Sequence, residues 1–148
     1  MDNVDKKIIN ALNKNGRISG ADIARKVNLS VPAVTERLRK LNTSGIIEHY
    51  TVRLNRSLFD LNVLAYVHLW LDHIQSTEIK NYVVGLPEVL ECHHVAGDFD
   101  LLLKVLVKDT AALEQFLVKK IKSNKAVIRS STTIIMSTYK EEINVEIE

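Results

Sequence analysis

The chain has 148 residues, 46% hydrophobic and 26% charged, which supports a folded core and argues against disorder. Its single cysteine, Cys92, excludes an intramolecular disulfide. Neither a signal-type leader nor a long apolar run is visible, so a soluble cytoplasmic protein is expected. The net charge is only +2, yet residues 1–60 carry 11 Lys+Arg against 6 Asp+Glu and residues 61–148 carry 9 against 12, so any polyanion should meet the first part.

Val4, Ile8, Ile9 and Leu12 repeat at helical spacing and predict a first helix from Asp2 to Lys14, stopped by Asn15-Gly16, two residues that tolerate the left-handed conformation. Ser19 is an N-cap candidate with Asp22 three residues on, and Ile23, Ala24 and Val27 form the inner face of a second helix. After Asn28, Ser30 starts a third helix to about Asn42 with the stripe Val34, Leu38, Leu41, ended by Ser44-Gly45. Ile46 to Leu54 reads as a short strand and connecting arm.

Beyond Asn62 the period changes to two. Val63, Ala65, Val67, Leu69 and Leu71 lie on one side of a strand, with Leu64, Tyr66, His68 and Trp70 on the other. A helix from Ser76, its expected cap, to Val84 turns Ile79, Tyr82 and Val83 inward. Strands follow at Val89–Ala96 and Leu101–Val107, then a helix capped by Asp109 with Leu113, Phe116, Leu117 and Ile121 inward, and a strand over Ala126–Ser137. The tail alternates Ile143, Val145, Ile147 with Glu142, Asn144, Glu146 and suits an added edge strand. The predicted fold class is α+β: a helix-turn-helix, winged-helix-like unit (1–47), a strand and linker (48–61), a ferredoxin-like βαββαβ domain (62–138) and a tail (139–148).

Ser19 to Leu41 meets the steric demands of a helix-turn-helix. Ala24 is small where two helices must cross, Asn28 accepts the positive φ of the turn, and Leu29 and Val34 plug the gap. Such a third helix enters the major groove with its N-terminal residues over base edges. Ser30, Val31, Pro32 and Ala33 begin it, and Thr35, Glu36, Arg37, Arg39 and Lys40 form its exposed face. Val31, Ala33 and the Thr35 methyl suit thymine methyls, Arg37 suits guanine, and Arg39 and Lys40 suit phosphates. Double-stranded DNA is the expected partner.

Across most of its length the chain resembles the Lrp/AsnC family, the leucine-responsive or feast/famine regulators. The resemblance is carried by Asp2-x-x-Asp5-x-x-Ile8-Ile9-x-x-Leu12, by Asn15 to Ser19, and by Leu29-Ser30-x-x-x-Val34-x-x-Arg37-Leu38-Arg39-Lys40-Leu41. Gly45-Ile46-Ile47-x-x-Tyr50, Leu86 to Val89, and Gly97 to Val105 continue it. It implies a transcription regulator of metabolic genes that dimerises through its α/β domain and assembles to octamers. It also implies an amino-acid effector bound in a cleft near Gly97, Asp98, Phe99 and Asp100 and near the strand residues Ser131, Thr132 and Thr133. One departure is Ala96, where the family often has a threonine before the glycine.

Read without the resemblance, Gly97 to Asp100 is a turn between strands. The helices of a βαββαβ sheet cover one face only, and the other face is also apolar, so it is expected to bury Tyr66, His68 and Trp70 in a homodimer. Cys92-His93-His94 does not form a metal site, because adjacent strand residues point to opposite faces and two ligands fall short of one. Ser130 to Thr133 lacks the glycines of a nucleophile elbow. No enzyme, metal or cofactor is expected. A DNA-wrapping architectural protein, or a ferredoxin-like small-molecule sensor or enzyme, are the competing readings.

Overall fold

Asp2 begins the first helix by capping it twice over. Its carboxylate accepts the Val4 and Asp5 amides, both at 2.9 Å, while the Asp5 side chain accepts the Asp2 amide at 3.0 Å, a reciprocal capping box. This is the start of a computed structural model that describes residues 1–72 and 76–148; the side chain of Ser76, and with it the expected cap there, lies outside the described residues. The chain divides into two units, residues 1–54 with 140–148, and residues 55–139.

In the first unit, α1 (Asn3–Lys14), α2 (Gly20–Val27) and α3 (Val31–Thr43) enclose Ile8, Ile23, Ala24, Val34 and Leu41, all nearly or fully buried. The Ser19 hydroxyl caps the Asp22 amide at 3.1 Å and donates to the Asp22 carboxylate at 2.6 Å. Asn28 ends α2 in the left-handed region at φ 55°, ψ 50°, as the steric argument required, and Ser30 caps α3 through the Ala33 amide. Gly45, at φ 74°, follows α3. Asn15 departs from expectation: it is extended, at φ −150°, and stops α1 by accepting the Arg17 amide on its side chain.

Ile46 to Leu54 does not form the expected strand. Ile47 packs on the helical core and its amide reaches the Leu41 carbonyl, but Ile46, Tyr50, Val52 and Leu54 are exposed and no strand among the described residues pairs with them. A strand pattern without a ladder partner leaves its backbone to water. The tail is corrected too. Residues 140–148 add no edge strand; they lie in the helical unit, against α1.

The second unit opens with a 3₁₀ turn at Arg56–Phe59. It continues through β1 (Val63–Leu71), α4 (Ser76–Val84), β2 (Val89–His94), β3 (Leu101–Val107), α5 (Thr110–Phe116) and β4 (Val127–Ile134). The antiparallel sheet has the order β2-β3-β1-β4, the βαββαβ arrangement. Strands β2 and β4 are shorter than expected. One sheet face, with Ala65, Val67, Leu69, Leu101, Leu103 and Val105, packs on Ile79, Val83, Leu113, Phe116 and Ile121. Tyr82, expected inward, is exposed, because Ile79 and Val83 one turn apart already fill the contact. Helix α5 runs into a single π turn at Leu117–Lys122, which places Phe116 and Ile121, five residues apart, on the same buried face. No helix among the described residues is long and apolar enough to cross a membrane.

Candidate functional site

The N-terminal turn of α3 is open. Ser30, Val31 and Pro32 are exposed, Ala33 is half-buried, and Val31 is an apolar side chain 45% accessible. Thr35 is exposed and donates its hydroxyl back to the Val31 carbonyl at 2.9 Å. Glu36 gathers the basic residues behind this turn. It takes two hydrogen bonds from Arg39, at 2.7 and 2.8 Å, and lies 3.8 Å from Lys40. These groups are exposed, so the pairs contribute little and exchange readily with other anions. The Arg39 guanidinium in turn holds the Glu36 carboxyl below its ordinary range.

Arg37 does not lie with them. Its Nη1 donates to the Asp5 carboxylate at 2.6 Å and to the Asp2 carboxylate at 2.8 Å, so the guanidinium expected over a guanine is bound instead to the capping box of α1. The spacing explains this. Val34, Arg37, Leu38 and Leu41 follow the i, i+3, i+4, i+7 pattern, so Arg37 sits on the inner flank of α3, and its side chain is 30% exposed. The carboxyls of Asp2 and Asp5 are both held below their ordinary range, first by each other's backbone N–H and then by Arg37. The sequence contained the signal in Asp2-x-x-Asp5, whose spacing builds a capping box with lone pairs to spare.

In the second unit the predicted sheet face and the predicted turn meet. Phe99 folds from the Gly97–Asp100 turn over β1, its ring 4.4 Å from His68 and 5.9 Å from Trp70, both edge-on. Arg129 of β4 stacks 4.4 Å above Trp70. Cross-strand pairing sets Ser131 beside His68 and Thr133 beside Tyr66 on this face, whereas Thr132 pairs with Val67 and belongs to the helix-covered face. The three strand residues named for the effector therefore split two to one. Asp98 is exposed. Asp100 is tied into the fold: its carboxylate accepts the Leu71 amide at 2.7 Å, at the bulge where the β1–β4 register shifts, and its own amide donates to the Leu69 carbonyl at 2.8 Å. Arg129 was not among the sequence-based candidates.

Cys92 points toward the core, opposite Leu103, and burial pushes its thiol up. Among the described residues, no group of three or more His, Cys, Asp or Glu is placed to hold a metal ion.

Comparison with known proteins bears on both units. A profile for a winged helix-turn-helix DNA-binding domain matches residues 1–48, and one for the Lrp/AsnC ligand binding domain matches residues 64–145. The leucine-responsive regulatory protein of Escherichia coli K12 is 34% identical over 144 residues, covering 95% of this chain and 88% of that protein. A feast or famine regulatory protein of Mycobacterium tuberculosis, solved with L-methionine, superposes with a TM-score of 0.91 at 29% identity, covering 99% of both chains. A Neisseria meningitidis transcriptional regulator, also solved with L-methionine, has the same fold, with a TM-score of 0.95 at 24% identity over 98% of this chain and 96% of that one.

Proposed function

The chain belongs to the Lrp/AsnC family of DNA-binding transcription regulators, and from that premise we propose that it reads specific sites with the first turn of α3, controls metabolic genes, and responds to a free amino acid. The observation that carries the DNA reading is the uncovered start of α3. Val31 stands exposed beside Ser30, Pro32 and Ala33, directly after a left-handed Asn28 that sets the helix crossing. In this reading these side chains and Thr35 meet base edges. Arg39 and Lys40 exchange Glu36 for phosphates, and Arg37 sets the helix angle instead of touching a base.

For the effector, backbone N–H groups of the Gly97–Asp100 turn would receive a carboxylate and Asp98 an ammonium, with Asp100 reserved for Leu71. Phe99 and Trp70 supply apolar surface for the side chain. That preference is supported by the L-methionine complex of the similar Mycobacterium tuberculosis protein. The face bearing Tyr66, His68 and Trp70, with Leu102 and Leu106 beside them, would be covered by the same face of a second copy, a homodimer able to assemble further to an octamer.

The test begins with selection from a random-sequence DNA pool, followed by salt titrations on the selected and a scrambled duplex. Tighter binding to the selected site, with a steep salt slope on both, is expected. Equal affinity favours a DNA-wrapping role, and no binding at low salt defeats both. Calorimetry with methionine and leucine tests the effector, and light scattering that finds a stable monomer at micromolar concentration refutes the dimer.

A further inference from the structure

Segment 140–148 follows the α/β unit in sequence but belongs to the helical unit in space. It is held along one stripe of α1. The Asn10 side chain engages both backbone groups of one residue: its Nδ2 donates to the Ile147 carbonyl at 2.9 Å and its Oδ1 accepts the Ile147 amide at 2.9 Å. A neighbouring strand pairs with a chain in the same way, and here a carboxamide does it from a helix. One turn along, Asn144 donates to the Asn13 side chain at 3.3 Å and Lys14 meets Glu146 at 3.2 Å. Farther along the segment, Arg53 donates to the Glu141 carbonyl at 2.5 Å and pairs with its carboxylate at 3.2 Å.

The attachment is polar and shallow. Ile143 and Val145 are 73% and 78% exposed and Ile147 is only half-buried, so apolar burial contributes little to holding the segment. The Lys14–Glu146 pair is exposed on both sides. Attachments of this kind open locally at little cost compared with a packed core. The charge is lopsided. Residues 1–54 contain ten Lys+Arg and five Asp+Glu, a surplus of +5, while residues 140–148 contain four Glu and one Lys, a balance of −3. Docked, the segment cancels more than half of the positive surplus of the unit that meets DNA. The unit is small enough for most of its surface to lie within one or two Debye lengths, about 10 Å at 0.1 M salt, of any bound duplex.

We propose that the outer stripe of α1 formed by Asn10, Asn13 and Lys14 is a docking surface for the chain's own acidic segment 140–148, and that the docked segment competes with DNA and holds its affinity down. The proposal rests on DNA binding by the helical unit. The uncharged Asn10 contact fixes the segment, and its four glutamates supply the competing field.

The experiment compares the full chain with a version ending after Tyr139, a variant carrying Glu141→Gln, Glu142→Gln, Glu146→Gln and Glu148→Gln, and Asn10→Ala. Each is titrated with a scrambled duplex across a range of salt, with melting temperatures taken in parallel. Truncation and the quadruple variant should tighten binding roughly three- to tenfold at low salt, the gap closing as salt screens the charges. Asn10→Ala changes no charge, yet should tighten binding in the same direction by a smaller factor. Hydrogen exchange gives an independent readout: the Ile147 amide should be protected in the free chain and lose protection when duplex saturates it. Tightening on truncation with no effect of Asn10→Ala overturns docking, leaving net charge alone. Weaker binding with a fallen melting temperature on truncation makes the segment a structural strap and also overturns the proposal, as does Ile147 protection indifferent to DNA. If no form binds duplex at low salt, the DNA reading fails together with the proposal, a result distinct from the others.

Discussion

Asp100 separates a strut of the fold from a ligand group, since the family resemblance places it at the effector and the geometry gives its carboxylate to Leu71. The perturbation is Asp100→Ala. It removes a 2.7 Å bond from a charged acceptor to a partly buried amide, at the bulge where β1 leaves the β4 register. A hydrogen bond to a charged group contributes about 1.5–3 kcal/mol when well shielded, and partial exposure brings this to about 1–2 kcal/mol. For a unit the size of residues 55–139, each kcal/mol moves the midpoint by about 4–8 °C, so the α/β transition should fall by roughly 4–16 °C. Asp100→Asn keeps a carbonyl acceptor without the charge and should lose about half as much. Differential scanning calorimetry without added amino acid measures both. The reasoning is refuted if Asp100→Ala melts within a degree of the parent while the response to an amino acid disappears, because the carboxylate would then be serving the ligand.

Other expectations follow from local geometry. Arg37→Ala should weaken binding to the selected duplex more than to a scrambled one and lower the melting temperature of the helical unit, since Arg37 orients α3 through Asp2 and Asp5; a selected-site loss with an unchanged melting temperature would return it to base reading. The low-lying carboxyls of Asp2 and Asp5 give stability that is complete above the ordinary carboxylate range and disappears as pH falls below it. Melting temperatures between about pH 5 and about pH 2 should therefore show a smaller acid-dependent loss in Arg37→Ala than in the parent, and parallel curves would contradict the pairing. Asn28→Val forces a β-branched residue to φ 55° and should destabilise the helical unit by about 1–2 kcal/mol in urea, whereas Asn28→Gly should be close to neutral. A methyl added at Gly97 meets nothing within 4 Å, and its φ is not positive, so Gly97→Ala should fold with an unchanged melting temperature. Loss of methionine binding in that variant would show that a ligand, and not the turn, requires the glycine.

The legible features were those set by neighbours in sequence. The alternation of β1 and β3, the caps at Ser19, Ser30 and Asp109, and the left-handed Asn28 all follow from periodicity or from one residue's own φ and side chain. Features that depend on distant partners were missed or misplaced. Arg37 finds carboxylates 32 and 35 residues away, and Asn10 finds a backbone 137 residues away. The arm from Ile46 to Leu54 has the composition of a strand, but a strand is a property of a pair, and among the described residues no strand pairs with it. For Thr132 the period-two rule was available and would have parted it from Ser131 and Thr133 at once. The π turn after Phe116 has no local signature, because Leu117 to Lys122 would satisfy an ordinary helix equally well.

The pairing of charges alters what a basic N-terminal half means. Arg37 is held by Asp2 and Asp5, Arg39 and Lys40 by Glu36, Arg25 by Asp22, Lys14 by Glu146 and Arg53 by Glu141. A duplex approaching this unit meets these six engaged cations beside Lys6, Lys7, Arg17 and Lys26, which stand outside the pairs. To use the six it must displace their carboxylates, and the exposed pairs yield first because they are worth least. Arg37 yields last, held by two carboxylates on the inner flank. Affinity then includes exchange of anions as well as direct attraction. In the proposed reading, specificity is left to the uncharged start of α3, where Val31 and its small neighbours would have nothing to give up before meeting a base.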